Sequence, residues 1–455
     1  MDDTKRTQHV QQRLFERCAQ RIQQIIPEQS RVCVALSGGL DSVVLLHLFA
    51  QLRNHYQLTA VHVHHGLSAH ADQWADFCQS LCSQLDISLS VEHVHIARND
   101  PSGIEAAARH ARYQAISRQA SEYIALAHHR DDQAETLLLQ LLRGAGLKGL
   151  SAMPRIRKTN SVTHIVRPLL DIERSELKQW ALENNIRWVE DESNQDTRYA
   201  RNFLRHQVFP LIAQQYPAWR NTLTRSVTHI AESSQLLDEL AYIDADNAMT
   251  TQQLAITQLT RLSDARARNL LRFFIGQQGL SMPNQRKLDE LLRQIIHSGR
   301  DNHLNLLLGD FMVRRHHQHI WLVRNHPLPN KDLQWAWQGE HQLALPELDG
   351  ILHFIPSAIG GLKYPQDGRL VIQLRQGGER FQPDCRRPRR ELKKLLQESS
   401  TPPWQRQRTP LIWHHHELVH VINVGTACTW HAQPGENGLR IEWQENTSIE
   451  YRSDD

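Results

Sequence analysis

A chain of 455 residues is longer than one ordinary domain needs, so two or three domains are expected. With 40% hydrophobic and 22% charged residues, the composition excludes a disordered chain and predicts a sizeable core, while a net charge of only +3 says little about partners. The polar, acid-containing N-terminus is unlike a signal peptide. Because no apolar run approaches the ~20 residues needed to cross a bilayer, we expect no membrane association.

The first 140 or so residues alternate between short apolar runs and helical patterns. The strand-like runs are 31–36, 58–63, 87–94 and 123–127, and the helical patterns are 41–53, 69–85, 103–120 and 131–142. This alternation predicts an α/β fold with a parallel sheet covered by helices on both faces. Ligands bind at the carboxyl ends of such strands, so we expect the loops after the first, second and fourth strands to share one edge.

The character of the sequence changes after about residue 217. Residues 218–300 are mostly helical in pattern, 303–324 read as strands, and 325–332 resemble a linker. Strand-like runs dominate the remainder, with one helical segment among them. We therefore expect a mainly helical second domain and a small α+β C-terminal domain. The predicted domains are 1–217, 218–325 and 326–455.

Residues 37–42 read Ser-Gly-Gly-Leu-Asp-Ser, between an apolar strand and an apolar helix. The glycines allow backbone N–H groups to approach a ligand closely, and the positive end of the helix faces the loop. Ser37 and Ser42 add hydroxyl groups, so the set suits an anion. The loop lacks the lysine of a GxxxxGK[ST] motif, and Asp41 makes chemical sense as a Mg²⁺ ligand beside phosphates. The alternative for Asp41 is an ordinary acid in the first turn of a helix.

Charged residues at helical spacing occur in two further segments. Arg109 and Arg112 lie on one face of a helical pattern, where either a salt-bridged solvent face or a binding site is expected. Asp131, Asp132 and Glu135 place three acids within five residues. Such acids repel one another unless a cation neutralises them, so a metal ion or a substrate ammonium group is the simplest guest. The alternative is a set of plain N-terminal helix acids.

The hexapeptide at 37–42 resembles the SGGxDS signature of the N-type ATP pyrophosphatases, also called PP-loop enzymes. The resemblance implies cleavage of ATP between the α- and β-phosphates and adenylation of a substrate. It also implies that the loop holds the leaving pyrophosphate, with ATP and Mg²⁺ as the small-molecule requirements.

Longer segments narrow the resemblance to the bacterial tRNA(Ile)-lysidine synthase family. They include VHVHHGL at 61–67, EAAARHARY at 105–113, HHRDDQAET at 128–136 and the arginine-rich 377–412. The resemblance implies a two-step reaction on the wobble cytidine of the CAU anticodon of tRNA(Ile). ATP first adenylates the cytidine with loss of pyrophosphate, and free L-lysine then attacks carbon 2 with loss of AMP.

The resemblance also implies roles for individual residues. Catalytic roles fall on Asp41, Asp131, Asp132, Glu135 and Arg143, with Asp41 as the metal ligand. The ATP contacts are Ser37, Gly38, Gly39, Leu40, Asp41, Ser42, His65, Arg109, Arg112 and His128. The tRNA contacts are Arg201, Arg205, Arg386, Arg387, Arg389, Arg390, Lys393 and Lys394.

Two basic segments stand out from the small net charge. Residues 198–225 hold five arginines and no acid, and residues 375–408 hold ten Lys/Arg against four Asp/Glu. Clustered cations suit a polyanion such as RNA, whereas the alternative is a solvated charged face.

The six cysteines form no C-x-x-C pair, and the i,i+4 spacing of Cys78 and Cys82 is typical of helix packing. We therefore expect no disulfide framework and a reducing cytoplasm. The tract His414–His416 resembles a metal site but lies in a strand-like run, so no metal is expected there.

Two other functions remain open. A tRNA-thiolating PP-loop enzyme commonly needs a cysteine pair or an iron–sulfur ligand set, and this chain has no C-x-x-C. A non-catalytic RNA-binding module is hard to reconcile with the intact residues 37–42 and the acidic cluster. The sequence does not set the oligomeric state, and a homodimer is compatible with it.

Overall fold

The computed structural model describes residues 2–66, 68–96, 103–158, 163–280, 282–297, 304–327, 329–399 and 401–445, the side chains of 2–13, 104, 105 and 193 excepted. Leu67 and the side chain of Glu105, which belong to segments quoted above, lie outside the described residues. The described residues divide into two compact units: those up to 251 with 258–292, and 252–257 with those between 293 and 445. The domain boundaries at 217 and 325 remain predictions.

The first unit begins as an α/β domain. Its elements are α1 Asp2–Ile25, β1 Arg31–Ala35, α2 Leu40–Gln51, β2 Gln57–His64, α3 Ala71–Gln84, β3 Ser88–His93, α4 Ile104–Ser117, β4 Tyr123–Ala125, α5 Arg130–Leu142, α6 Leu147–Leu150, β5 Ile156–Lys158, β6 His164–Val166 and α7 Arg174–Glu183. The strand order is β3-β2-β1-β4-β6-β5. The described pairings are parallel except that of β5 with β6. The predicted α/β fold is confirmed. Besides the four strands that the sequence predicts, the sheet has two short strands, β5 and β6.

Both faces of this sheet are covered, because successive residues of a strand point to opposite sides. Val32 and Val34 point into a core shared with α1, α2 and α7, whereas Cys33 points into a second core shared with α4. Nine of the twelve residues of α2 are buried, so this helix is apolar on every side. The buried helix starts at Leu40, separated from the end of β1 by only four residues, and its N-terminus is therefore held at the carboxyl edge of the sheet.

Helices follow the sheet, as the pattern of 218–300 predicts. The elements are α8 Ala200–Phe203, a π-helical turn Leu204–Val208, α9 Phe209–Gln215, α10 Trp219–Ala245, β7 Gln253–Ala255, α11 Ile256–Arg261, α12 Asp264–Gln277 and α13 Gln285–His297. A π-helical turn shifts the side chains that follow it around the helix axis, and such turns are frequent at functional sites. Here the turn carries Arg205.

The second unit is rich in antiparallel strands. Its remaining elements are β8 Asn305–Leu308, β9 Phe311–His316, β10 His319–Arg324, β11 Gln334–Trp337, β12 Gln342–Leu345, β13 Gly350–Ser357, β14 Leu362–Lys363, β15 Leu370–Gln373, β16 Arg380–Phe381, β17 Arg390–Glu391, α14 Leu392–Glu398, α15 Pro403–Arg406, β18 Leu411–His414, β19 Glu417–Val421, β20 Gly425–Thr426 and β21 Gly438–Glu445. Their sheets are β7-β10-β9-β8, β11-β15-β18-β19-β20, β12-β13-β21-β14 and β16-β17.

The cysteines depart from the expectation in one place. Cys385 and Cys428 form a disulfide across 43 residues of sequence, whereas the other four cysteines are free and buried. The two partners are distant in the chain, so spacing alone carries no signal for the pair. Among the described residues, no helix is long and apolar enough to cross a membrane.

Truncation of a core leucine on α2 tests how far this helix supports the first unit. Leu45→Ala removes a side chain with no exposure, and we expect a loss of about 3 kcal/mol in the free energy of unfolding. Leu142→Ala is the matched control, since Leu142 is 71% exposed and its truncation should change stability by less than about 0.5 kcal/mol. Urea denaturation followed by circular dichroism measures both, and equal midpoints for the two variants would contradict the expectation.

Candidate active site

The loop at 37–42 lies at the point where the strand order of the sheet reverses, between β1 and β4. Gly38 has φ +85°, and a Cβ atom there would lie 3.3 Å from Cys78 Sγ, so the position requires glycine. Gly39 is the N-cap of α2, so the first N–H groups of that helix face the loop. Open sheets of this kind bind ligands at such a switch point.

The serine hydroxyls of the loop are bonded within it. Ser37 Oγ and Ser42 Oγ lie 3.0 Å apart, and Ser42 Oγ donates to the carbonyl of Gly39 at 2.9 Å. The side chain of Leu40 is in the core at 4% exposure, so only its backbone can meet a ligand. The anion-binding capacity of the loop therefore rests on backbone N–H groups and the end of α2.

Asp41 is the acid of this loop. Its Oδ2 lies 3.6 Å from His129 Nε2 and 3.7 Å from Arg174 Nε, whereas its Oδ1 is buried and has no hydrogen-bond partner among the described residues. Burial acts to raise the pKa of Asp41, but His129, Arg174 and Arg205 outweigh it and lower that pKa. A buried, ionised oxygen without a partner is what a hard cation needs, so Asp41 fits Mg²⁺.

His129 lies between three carboxylates at the N-terminus of α5. Its side chain is 2% exposed, and its ring nitrogens lie 3.6 Å from Asp41, 3.4 Å from Asp132 and 3.8 Å from Asp131. Burial disfavours the charged ring, yet Asp132, Asp41 and Asp131 outweigh it and raise the pKa of His129 to about 9. A protonated ring has no acceptor nitrogen, so it cannot keep the long 3.4 Å hydrogen bond that the Asp132 backbone N–H donates to Nδ1. His129 is thus a cation at neutral pH.

The predicted acids are brought together, and arginines neutralise them. Asp131 accepts a hydrogen bond from Arg220 Nε at 2.5 Å, and Glu135, at 1% exposure, accepts two from Arg205 at 2.8 and 3.0 Å. Burial and the nearby Asp132 raise the pKa of Glu135, and Arg205 acts against them. The bidentate geometry is the strong form of a carboxylate–arginine contact.

Two histidines at the same edge are neutral. Burial first, and the nearby Arg112 next, lower the pKa of His65 to about 4. Burial also holds the pKa of His128 well below its usual range, and its Nδ1 accepts a hydrogen bond from Arg167 Nε at 3.2 Å. The His65 Nδ1 atom is buried without a hydrogen-bond partner among the described residues. Neutral imidazoles of this kind suit contacts with an uncharged part of a nucleotide.

The other predicted arginines are placed differently. Arg109 lies over the ring of Tyr113 at 5.2 Å and is half-buried, whereas Arg112 is exposed on α4. Arg143 is exposed at the C-terminal end of α5, about 18 Å along the helix from Asp131, so the structure does not bring it to the carboxylates. Arg201 donates to Thr136 Oγ1 at 3.1 Å and so faces α5, in the same direction as Arg205.

The predicted tRNA contacts of the second unit form a mostly exposed set around β17 and α14. Lys393 and Lys394 are exposed on α14, while Arg387 is paired with Asp384 at 3.6 Å. Arg390 is the exception, since its guanidinium makes two hydrogen bonds with the carboxylate of Glu398. The remaining members, which are exposed, are Arg386 and Arg389.

Sequence reasoning missed Arg174 and Arg220 as members of the site, and it interpreted His129 as a nucleotide contact and not as a cation between carboxylates. A helix pattern does not reveal which distant arginine meets which acid. The one available signal was the arginine-rich segment 198–225, which contains Arg220 and which we interpreted as an RNA surface.

Comparisons with known proteins agree with this geometry. A PP-loop domain model matches residues 8–212, a TilS substrate binding domain 254–321 and a TilS substrate C-terminal domain 370–443. The tRNA(Ile)-lysidine synthase of Nitrosomonas europaea is 46% identical over 419 residues, which is 91% of this chain and 92% of that protein. The chain belongs to the tRNA(Ile)-lysidine synthase family.

A further relative and one solved structure are also similar to this chain. The family member from Coxiella burnetii is 38% identical over 92% of this chain and 94% of its own. Among solved structures, the U34-tRNA thiolase NcsA of Methanococcus maripaludis, described with its [4Fe-4S] cluster, covers 50% of this chain and 80% of its own. That alignment has 16% identity and a TM-score of 0.43.

The charge state of His129 predicts a pH dependence of stability for the metal-free protein. Because its pKa rises from 6.5 to about 9 on folding, its stabilising contribution is full below pH 6.5 and is lost as the pH rises through 9. We expect the free energy of unfolding to fall by about 3 kcal/mol across this window. His65 and His128 have lowered pKa values, so their effect on the free energy of unfolding lies below pH 6.5. They therefore do not mask the effect of His129.

Urea denaturation in EDTA at pH 7, 8 and 9.5 measures this effect above the pH at which the unfolded histidines become charged. His129→Gln is the comparison variant and should lack this part of the slope. A slope unchanged by that substitution would show that the imidazole is not the group responsible.

Proposed function

We propose that this chain ligates free L-lysine to carbon 2 of the wobble cytidine in the CAU anticodon of tRNA(Ile), consuming ATP and releasing pyrophosphate and AMP. Family membership supports the reaction class and the tRNA substrate. The observation that carries the chemistry is Asp41 Oδ1, a buried unpartnered oxygen beside an anion-binding loop. The protein is expected to act in the cytoplasm.

In the first step, the loop receives the leaving pyrophosphate. Backbone N–H groups at 37–42 and the positive end of α2 are directed at the place where negative charge develops. Mg²⁺ held by Asp41 would neutralise phosphate oxygens there. Arg109 and Arg112 are assigned to the α-phosphate, since a guanidinium matches phosphate geometry. His65 and His128 are neutral and are assigned to nucleotide contacts.

In the second step, the carboxylates receive the lysine. The site already holds cations between its acids, because His129, Arg205 and Arg220 each lie against at least one of them. A lysine ammonium group is a cation of the same charge and is assigned to Asp131 or Asp132. The nucleophilic amine must first lose a proton, and Glu135 is suited to accept it because burial and Asp132 raise its pKa.

We assign two basic surfaces of the protein to tRNA binding. The exposed cations on and before α14 would hold phosphates of one limb, and such contacts fix position, not sequence. The cytosine must leave the anticodon stack to reach a pocket at the edge of the sheet. Arg201 and Arg205 face α5 and its acids, so we assign them to the edge of this pocket, near the anticodon backbone.

A thiolating enzyme is the weaker alternative. Burial raises the pKa of Cys78 and Cys18 to about 12, and that of Cys33 and Cys82 to about 11, so all four free thiols stay protonated at neutral pH. The reactive form of cysteine is the thiolate. The free cysteines are therefore poorly suited to carry sulfur.

Replacing the loop acid tests the first step. We expect Asp41→Asn to slow pyrophosphate release from ATP in the presence of tRNA by at least about 100-fold, because Mg²⁺ loses its anionic ligand. Asp76→Asn, on the exposed face of α3, is the matched control and should retain activity. Full activity in Asp41→Asn would contradict the assignment of Asp41 as a metal ligand. In a separate assay of the unmodified protein, labelling of tRNA by sulfur instead of lysine would contradict the proposed ligase activity.

Charge reversal on α14 tests the second basic surface. Lys393→Glu combined with Lys394→Glu should raise the KM for tRNA by about 10- to 100-fold at 0.1 M salt and leave the KM for ATP unchanged. Lys178→Glu, on the exposed face of α7, is the control for a change of surface charge elsewhere. An unchanged KM for tRNA in the double variant would place the tRNA away from α14.

A further inference from the structure

A cluster of metal-binding side chains lies at one end of the sheet β11-β15-β18-β19-β20. Strands β15 and β18 are antiparallel, with Val371 opposite Trp413. The turn before β15 and the hairpin after β18 therefore meet at the same end of the sheet. The turn carries Asp367, and the hairpin carries His414 and His415.

Both histidines face the same carboxylate, which two neighbouring residues of an extended strand would not do. His414 ends β18, whereas His415 begins the two-residue turn and has φ 49°. This left-handed conformation brings the second ring to the side of the first. His414 Nε2 lies 3.1 Å from Asp367 Oδ1, and His415 Nε2 lies 3.3 Å from Asp367 Oδ2.

Two neighbouring residues, Trp430 and Arg369, hold the cluster in place. The ring of His414 packs against Trp430 at 4.7 Å between centroids, and the Arg369 N–H donates to Asp367 Oδ1 at 3.2 Å. Within the part of the chain that the structure describes, neither a lysine nor an arginine forms an ion pair with Asp367. The carboxylate therefore faces two imidazole nitrogens without a competing permanent cation.

We propose that Asp367, His414 and His415 form a binding site for a divalent transition metal such as Zn²⁺. One ligand atom from each residue lies within 4.8 Å of the others. Tetrahedral Zn²⁺ at ~2.1 Å from its ligands needs them about 3.4 Å apart, so the ligand atoms must move together by at most about 1.4 Å. His415 is 69% exposed and free to make that shift. Two imidazoles with one carboxylate favour Zn²⁺, Co²⁺ or Ni²⁺ over Mg²⁺.

A metal bound here would depart from the expectation that the tract His414–His416 binds none. A strand pattern alone places neighbouring side chains on opposite faces, and it does not reveal the left-handed residue at the turn. The third ligand comes from 47 residues earlier in the chain, which local spacing cannot show. A bound ion ties the turn at Asp367 to the hairpin and leaves a coordination position for water or another ligand.

Titration of the chelator-treated full chain with Zn²⁺, and separately with Co²⁺, tests this site. We expect the unmodified protein to bind one equivalent more than His415→Asn or Asp367→Asn, by calorimetry and by the Co²⁺ absorption of a site with imidazole ligands. Asparagine at 415 keeps the left-handed backbone accessible. His416→Asn, the neighbouring exposed residue of the same turn, is the matched control and should keep the extra equivalent.

Equal stoichiometry and affinity in all four proteins would overturn the site and leave only two histidine–carboxylate hydrogen bonds. Circular dichroism of each variant checks that the fold is retained. Asp41 is unchanged throughout, so metal bound at the sheet edge of the first unit contributes equally and cancels. The result is independent of catalytic activity.

Discussion

The balance of charge around His129 is the constraint on which the site depends. Four carboxylates, on Asp41, Asp131, Asp132 and Glu135, lie close together and mostly out of solvent, where like charges repel strongly. The imidazolium sits between three of them, and Arg205 and Arg220 neutralise the outer ones. The pairing of β1 with β4 holds this arrangement, because it sets the N-termini of α2 and α5 side by side.

Much of the sheet that positions these residues could be predicted from the sequence. Apolar runs with β-branched residues predict β1 to β4, the alternation with helices predicts their parallel order, and that order places the loops at one edge. Strands β5 and β6 were not predicted because their residues, IRK and HIV, include polar side chains and are too few to show a period. The equally short β4 was predicted because it lies in the longer apolar run 123–127.

The site itself was predictable only in part. Motif residues such as Asp41 and Asp132 are local to a strand end and can be located in one segment. Their partners Arg174 and Arg220 come from other helices, and sequence spacing carries no information on such pairs. Arg143 lies twelve residues after Asp131, which places it about 18 Å along the helix axis and about 120° around it, so it shares neither the level nor the face of that acid. The left-handed conformation of His415 could not be predicted from the sequence either, because it depends on the turn that contains the residue.

The pair between Asp131 and Arg220 also sets an order of events during synthesis. The two residues are 89 positions apart, so a ribosome adding 5 to 20 residues per second exposes the acid about 4 to 18 s before its partner exists. During that interval the nascent sheet carries a carboxylate without its arginine. The catalytic edge can reach its final electrostatic state only after the start of α10 has emerged, so α10 completes the α/β domain that precedes it.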